Sequence, residues 1–212
     1  MAQYFSVHPE NPQPRLIRAA VDIIKAGGVI AYPTDSCYAL GCHIGDKSAM
    51  ERLRRIRDVD ERHHFTLVCR NLSEVGQFAK VDNLQFRLIR ANTPGSYTFI
   101  LRATRDLPRR LLHPRLTIGV RIPGHPVPLA LLDVLGEPIL SSTLILPAHG
   151  VALNDPAEIR LHLEHQLDLV IDAGPCDGQM TTVVDLSADA PRLIREGKGD
   201  IRPFGFVKEA LH

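Results

Sequence analysis

The run Tyr-Pro-Thr-Asp-Ser-Cys-Tyr-Ala-Leu-Gly, residues 32–41, gathers the groups most able to hold a small ligand. A proline that closes a buried apolar segment, here Gly-Gly-Val-Ile-Ala-Tyr, fixes the turn that follows it. Just beyond it, Thr34, Asp35 and Ser36 offer side-chain and backbone hydrogen bonds to a small polar molecule. The same three residues could equally do no more than cap the next turn or helix. Arg121 is a second candidate, because an arginine inside the otherwise apolar Ile-Gly-Val-Arg-Ile-Pro needs a partner. A carboxylate matches its planar fork, and a surface ion pair is the plainer alternative.

Other chemistries lack their residues. There is no Gly-x-x-x-x-Gly-Lys-Ser/Thr and no Gly-x-Gly-x-x-Gly, and Gly197-Lys198-Gly199 is only a weak echo of a phosphate loop. No Gly-x-Ser-x-Gly elbow occurs, and Cys37 has no histidine that the sequence places beside it. Glu158, His162 and His165 fall on one face of a predicted helix, where a solvated face accounts for them better than a metal does. His63 and His64 are neighbours on or near a strand, so their rings should point to opposite sides and chelate poorly. No metal site is expected. The four cysteines miss the paired Cys-x-x-Cys spacing and read as reduced thiols.

The elements that must position these groups alternate in type. Helical spacing of apolar residues predicts helices over 15–26, from Asp46 through Ile56, over 73–78, 83–91 and 127–135, and from an Asp155-Pro156 start to about His165. Short apolar or alternating runs predict strands at Val-Ile-Ala-Tyr-Pro, 65–69, 96–102, 117–122 and 139–143. Three more strands close the chain, Leu-Asp-Leu-Val-Ile-Asp, Thr-Thr-Val-Val-Asp-Leu and Pro-Arg-Leu-Ile-Arg-Glu. This order argues for an α/β fold around a mixed sheet.

With 212 residues, 44% hydrophobic and 23% charged, the chain suits a single soluble globular domain. No apolar run reaches the roughly 20 residues of a membrane span and the first residues lack signal-peptide order, so a cytoplasmic protein is expected. A formal net charge of +1 conceals asymmetry. Residues 87–121 hold eight arginines against Asp106, and residues 150–190 hold eight acids against Arg160. A basic face able to meet phosphates is one reading and a patchy solvated surface is the other.

Taken together, several segments resemble the YrdC-like family and lie closest to its YciO branch. They are residues 27–41, 93–101, 117–126, 169–175 with 181–186, and 193–201, in the family's order and over nearly the whole chain. The resemblance implies one YrdC-like domain spanning residues 1–212, with its core at about 15–205. It implies a twisted, open, mixed sheet flanked by helices, with a concave basic cavity. It also implies an enzyme of the threonylcarbamoyl-AMP synthase type, a nucleotidyltransferase acting on threonine, bicarbonate and ATP with Mg2+ for tRNA modification. Carried over residue by residue, Ser36, Arg121, Thr143 and Thr181 match threonine-binding positions, with Arg121 on the carboxylate. Arg57, His63, Thr117 and Arg195 match nucleotide-binding positions.

The sequence departs from the family pattern at three places. Where active members carry Lys-x-Arg-Pro this chain has Arg57-Asp58-Val59-Asp60, which keeps one cation, with Arg62 or His63 as substitutes nearby. The family's Ser-x-Asn is Thr143-Leu144-Ile145, which loses an amide, and Val68 stands where many members have histidine. An alternative is therefore a non-catalytic protein that binds nucleotide or RNA, either tRNA or double-stranded RNA. A further alternative is a sensor that keeps only the amino-acid pocket.

Overall fold

The computed structural model describes residues 1–60, 63–111, 113–147 and 150–207. Ten strands form one mixed sheet: β1 Gln3–Ser6, β2 Ile30–Tyr32, β3 Ala39–His43, β4 Thr66–Val68, β5 Tyr97–Arg102, β6 Thr117–Arg121, β7 Ile139–Thr143, β8 Leu169–Asp172, β9 Thr182–Asp185 and β10 Arg192–Arg195. Their spatial order is β1-β8-β2-β3-β7-β4-β6-β5-β9-β10. β1 and β2 run parallel to β8, β4 to β6 and β5 to β9, and the remaining neighbours are antiparallel. The expected mixed α/β sheet is present. It begins earlier than expected, because β1 and β3 have no counterpart in the predicted elements. β3 hides inside the polar-looking motif because Ala39, Leu40 and Cys42 are small or apolar residues buried on both faces, without the alternation that marks a half-exposed strand.

Among the described residues six α-helices flank the sheet. α1 (Pro14–Lys25) starts with proline in its first turn and buries Ile17, Ala20, Val21 and Ile24. α2 (Lys47–Arg57) is capped by the Asp46 side chain, which accepts from the Ala49 N–H, and ends at Asp58 in the left-handed region. α3 (Leu72–Phe78) and α4 (Asn83–Asn92) are short, and Asp82 with Gln85 makes a capping box on α4. α5 (Pro126–Leu135) ends on Gly136 at φ 78°, where a glycine carries no steric penalty. α6 (Pro156–Leu163) is capped by Asp155 and stops short of His165.

The helices divide unequally between the two faces. Helices α2, α3, α4 and α6 pack Leu53, Val75, Ile89 and Ile159 against one face through Leu40, Leu67, Phe99 and Val184. On the other face α1 and α5 pack over Ile30, Tyr32, Ile139 and Val68, and that cluster ends at β4. The register Thr66 to Gly119 to Ile100 and Thr98 to Val183 carries this second face onward over β6, β5 and β9. There the positions on this face mix threonine and glycine, at Thr66, Thr98 and Gly119, with the aliphatic Ile100 and Val183. Valine at 68 therefore belongs to the packed half of this face, 3% exposed beneath α1 and α5.

The packed half tolerates no added bulk. A Cβ on Gly41 would lie 2.7 Å from Cε1 of Tyr32 and 2.9 Å from Cγ2 of Ile139, both fully buried. Gly41→Ala should cost about 1–3 kcal/mol, read in a thermal melt as a fall of about 2–10 °C in Tm.

Candidate functional site

The turn after β2 is closed by its own side chains. The Thr34 hydroxyl donates to the Cys37 carbonyl at 2.6 Å and accepts the Ser36 N–H at 3.1 Å, and its oxygen lies 3.0 Å from Ser36 Oγ. The turn-capping alternative is thus realised for Thr34. From β6, Arg121 reaches into this turn: Nη2 lies 3.0 Å from Ser36 Oγ and 3.3 Å from Thr34 Oγ1, and it forms an ion pair with Asp35. The guanidinium is 7% exposed, and its Nε is buried without a hydrogen-bond partner among the described residues. Ser96 Oγ donates to Asp35 at 3.1 Å. Lys198 Nζ donates to the Asp35 carbonyl at 2.8 Å and pairs with Asp177, tying the chain's last glycine-rich segment to the turn. The partner that the sequence demanded for Arg121 is therefore Asp35.

Beside this turn, the uncovered part of the sheet face holds a cavity of about 200 Å³. Of the eight residues singled out in sequence, Arg57, His63, Thr143, Thr181 and Arg195 line it. Thr117 stands one hydrogen bond behind, its Oγ1 3.2 Å from Nε2 of the lining residue His64. Ser36 and Arg121 are outside the lining and bonded to each other. Arg121 shares its face of β6 with the lining residue Gly119 by the two-residue period. A second cavity of about 190 Å³ is lined by Thr34, Asp35, His125, Asp177 and Lys198, among others.

The cavity's cations are already engaged. Arg57 donates through Nε to Ser142 Oγ at 3.2 Å and through Nη1 to the Ile145 carbonyl. Arg195 donates through Nε and Nη2 to the Thr181 carbonyl at 3.1 and 3.0 Å, and through Nη2 to Thr181 Oγ1 at 3.1 Å. Thr98 Oγ1 lies 3.0 Å from Thr181 Oγ1. Burial pulls both arginines below the ordinary arginine pKa. Burial, then Arg57, lowers His63 to about 4, and burial, then stacked His113, lowers His64 to about 4. Near neutral pH both imidazoles are uncharged, so among the described residues the positive charge comes from two arginines and the lining holds no acid. Such a pocket favours an anion.

Sequence reasoning passed over Ser142, Thr98, Thr66 and His64. The alternation in Ser-Tyr-Thr-Phe-Ile-Leu-Arg could have placed Thr98 with Ile100 on the open face. His64 was expected to point away from His63, yet both line the cavity, because they sit on irregular chain before β4 where the period of two does not apply. At the departures, Ile145 lines the cavity while its carbonyl takes Arg57, Val59 follows the left-handed end of α2, and Arg62 lies outside the described residues. Of the eight arginines in residues 87–121, seven are exposed and Arg121 is buried; among the exposed ones Arg102 bonds the Ser187 carbonyl and Arg110 bonds the Ile44 and Gly45 carbonyls. Among the described residues no group of three or more His, Cys, Asp or Glu side chains is placed to hold a metal, and no helix is long and apolar enough to cross a membrane.

A family model described as telomere recombination, covering Sua5, YciO and YrdC, matches residues 22–197. The chain belongs to this family. It is 55% identical over 205 residues to YciO of Escherichia coli strain K12, covering 96% of this chain and all of that one, and the crystal structure of E. coli YciO superimposes with a TM-score of 0.94. The family also includes a threonylcarbamoyl-AMP synthase of Halorhodospira halophila, 29% identical over 164 residues, 77% of this chain and 85% of that one. Sua5 of P. abyssi, solved in complex with L-threonine, shares the fold at a TM-score of 0.84 and 23% identity, over 92% of this chain and 57% of that one.

Two outcomes follow from the geometry. Asp35→Ala strands a buried guanidinium and should destabilise the protein by about 3–5 kcal/mol, measured by urea unfolding; adding Arg121→Met should recover part of the loss. The second concerns pH. With folded values of about 4 against 6.5 when unperturbed, His63 and His64 bind more protons in the unfolded chain between those limits. Their contribution is present above pH 6.5 and lost as pH falls toward 4. The Tm decline over that window should be shallower in the His63→Gln/His64→Gln variant.

Proposed function

We propose that the protein takes threonine at the Ser36–Arg121 turn and a nucleoside triphosphate in the neighbouring cavity, and joins them with bicarbonate as threonylcarbamoyl-AMP. The observation that carries this reading is one cavity, free of acids among the described residues, in which Arg57, His63, Thr143, Thr181 and Arg195 converge. The relationship to threonylcarbamoyl-AMP synthases at about 30% identity supports it. In the reaction, the threonine amine takes up bicarbonate with loss of water. An oxygen of the resulting carbamate attacks the α-phosphorus, the bond to the β-phosphate bridging oxygen breaks, and pyrophosphate leaves with the electron pair. Negative charge builds on the phosphoryl oxygens in that transition state, and Arg57 and Arg195 are the groups able to meet it. Thr143 and Thr181 add hydroxyls, Thr117 holds His64 in place, and Arg121 with Ser36 receives the amino-acid carboxylate. Among the described residues the lining holds no carboxylate for Mg2+, so the metal would arrive on the triphosphate as part of the substrate.

A second reading is favoured by the bonding of Arg57. Its Nε and Nη1 donate to Ser142 and the Ile145 carbonyl, and Val59 supplies no further cation. Absence of one preorganised contact costs on the order of 10²–10³ in rate, which leaves a protein that binds nucleotide, or the phosphates of tRNA or double-stranded RNA, with little turnover.

The deciding experiment supplies threonine, bicarbonate and Mg-ATP at high protein concentration and looks for the adenylate by mass spectrometry. Product above the enzyme-free blank is expected, falling about 100-fold in Arg195→Met. No product, together with calorimetric binding of ATP, would leave the binding reading. A tRNA titration that is flat against salt would count against an RNA partner.

A further inference from the structure

The cavity is polar at its floor and aliphatic at its rim. Ser142 and Thr181, which hold the two arginines, are 5% and 4% exposed. Ile100, Val183 and Ile194 line the cavity from β5, β9 and β10: Val183 lies opposite Thr98 and Arg195 and diagonal to Ile100, and Ile194 is the residue skipped where the β9–β10 register shifts, so the three make an aliphatic strip interrupted by Thr98. Along it exposure rises from 9% at Ile100 to 47% at Ile194. None of these three side chains carries a hydrogen-bonding atom, and Ile145, also in the lining, adds another aliphatic surface.

Size then decides how a nucleotide would lie. At about 200 Å³ the cavity is smaller than the roughly 300–1,000 Å³ of pockets that enclose a drug-sized ligand. The triphosphate, carrying the charge, seeks the arginines at the floor. The base is left at the rim against Ile194 and Val183, with its hydrogen-bonding edge toward water.

We propose that this strip is a nucleobase shelf that supports a base without reading it, so that the ligands are nucleoside 5′-triphosphates as a class rather than ATP alone. The inference rests on reading the cavity as a nucleotide site. Every base offers a π-face of similar apolar character, so contact with aliphatic side chains holds purines and pyrimidines with little preference. Discrimination of 10⁴–10⁵ arises where buried donors and acceptors would be left unpaired by the wrong ligand, and the strip's three side chains have none.

Calorimetry with the Mg2+ complexes of ATP, GTP, CTP and UTP, and with tripolyphosphate, tests this on the wild-type protein and on Ile194→Ser, a change at a half-exposed position. Four Kd values within about tenfold are expected, a spread of about 1.4 kcal/mol. Ile194→Ser should weaken all four by about three- to tenfold and leave tripolyphosphate unchanged. ATP binding more than 100-fold tighter than the others would overturn the shelf while sparing the nucleotide site. Tripolyphosphate binding as tightly as the nucleotides would also remove the shelf, leaving a phosphate pocket. If neither nucleotides nor tripolyphosphate bind, the nucleotide reading of the cavity fails, and the shelf with it.

Discussion

A full positive charge sits in the middle of the sheet on β6, and much of the surrounding structure follows from having to neutralise it. Desolvating a guanidinium costs several kcal/mol unless a counter-charge and hydrogen bonds surround it. The turn after β2 meets that demand by folding Asp35, Ser36 and Thr34 over the Arg121 head group. The proline that ends the strand sends the chain in that direction, and Ser96 and Lys198 brace Asp35 from two further segments. One ion pair thus ties together strands far apart in sequence. Among the described residues it also leaves Arg121 Nε without a hydrogen-bond partner, a donor for an incoming acceptor.

The second organising fact is unequal cover. Two helices, α1 and α5, coat one face of the sheet only as far as β4, and beyond that line the face must present groups that tolerate water. Threonines at 66 and 98 with glycine at 119 meet this requirement, since a hydroxyl in a strand packs like valine yet bonds solvent or ligand. The loop before β4 and the end of α2 then swing Arg57 and His63 over the uncovered region. Because the histidines are held neutral by burial and by the arginines, the pocket's field is set by permanently charged groups and stays nearly constant across the physiological pH range.

Much of this was legible in the residues. Apolar spacing located the helices to within a residue or two, and caps such as Asp46 and Asp155 marked where they begin. The strands that escaped are informative: β1 lies at the sheet edge in a polar segment, and β3 is too small and too uniformly buried to alternate. At the site, an arginine in an apolar strand announced that it needed a counter-charge, but sequence cannot say which of 24 acids supplies it. Asp35 was read as a ligand-binding residue beside Arg121's target, and it is that target within the chain. Thr98 and Ser142 became visible only when pairing brought β5 and β7 around the same hollow.

The departures from the family pattern gain meaning once the bonding of Arg57 is considered. Its contact at Ile145 is to a peptide oxygen, which any residue there would provide, so losing the amide at 145 does not by itself displace the cation. What changes is the surface beyond it, from polar to aliphatic, while Val59 adds no second cation. On the proposed nucleotide reading, a phosphate approaching Arg57 would exchange a neutral carbonyl acceptor for a charged one, and charge-assisted hydrogen bonds are roughly twice as strong, so this arrangement is compatible with binding. Turnover is penalised more. Catalysis depends on donors already aimed at the transition state, and a guanidinium that must first release a carbonyl has to reorganise during the step it should accelerate. The same residues therefore support retained affinity with reduced rate.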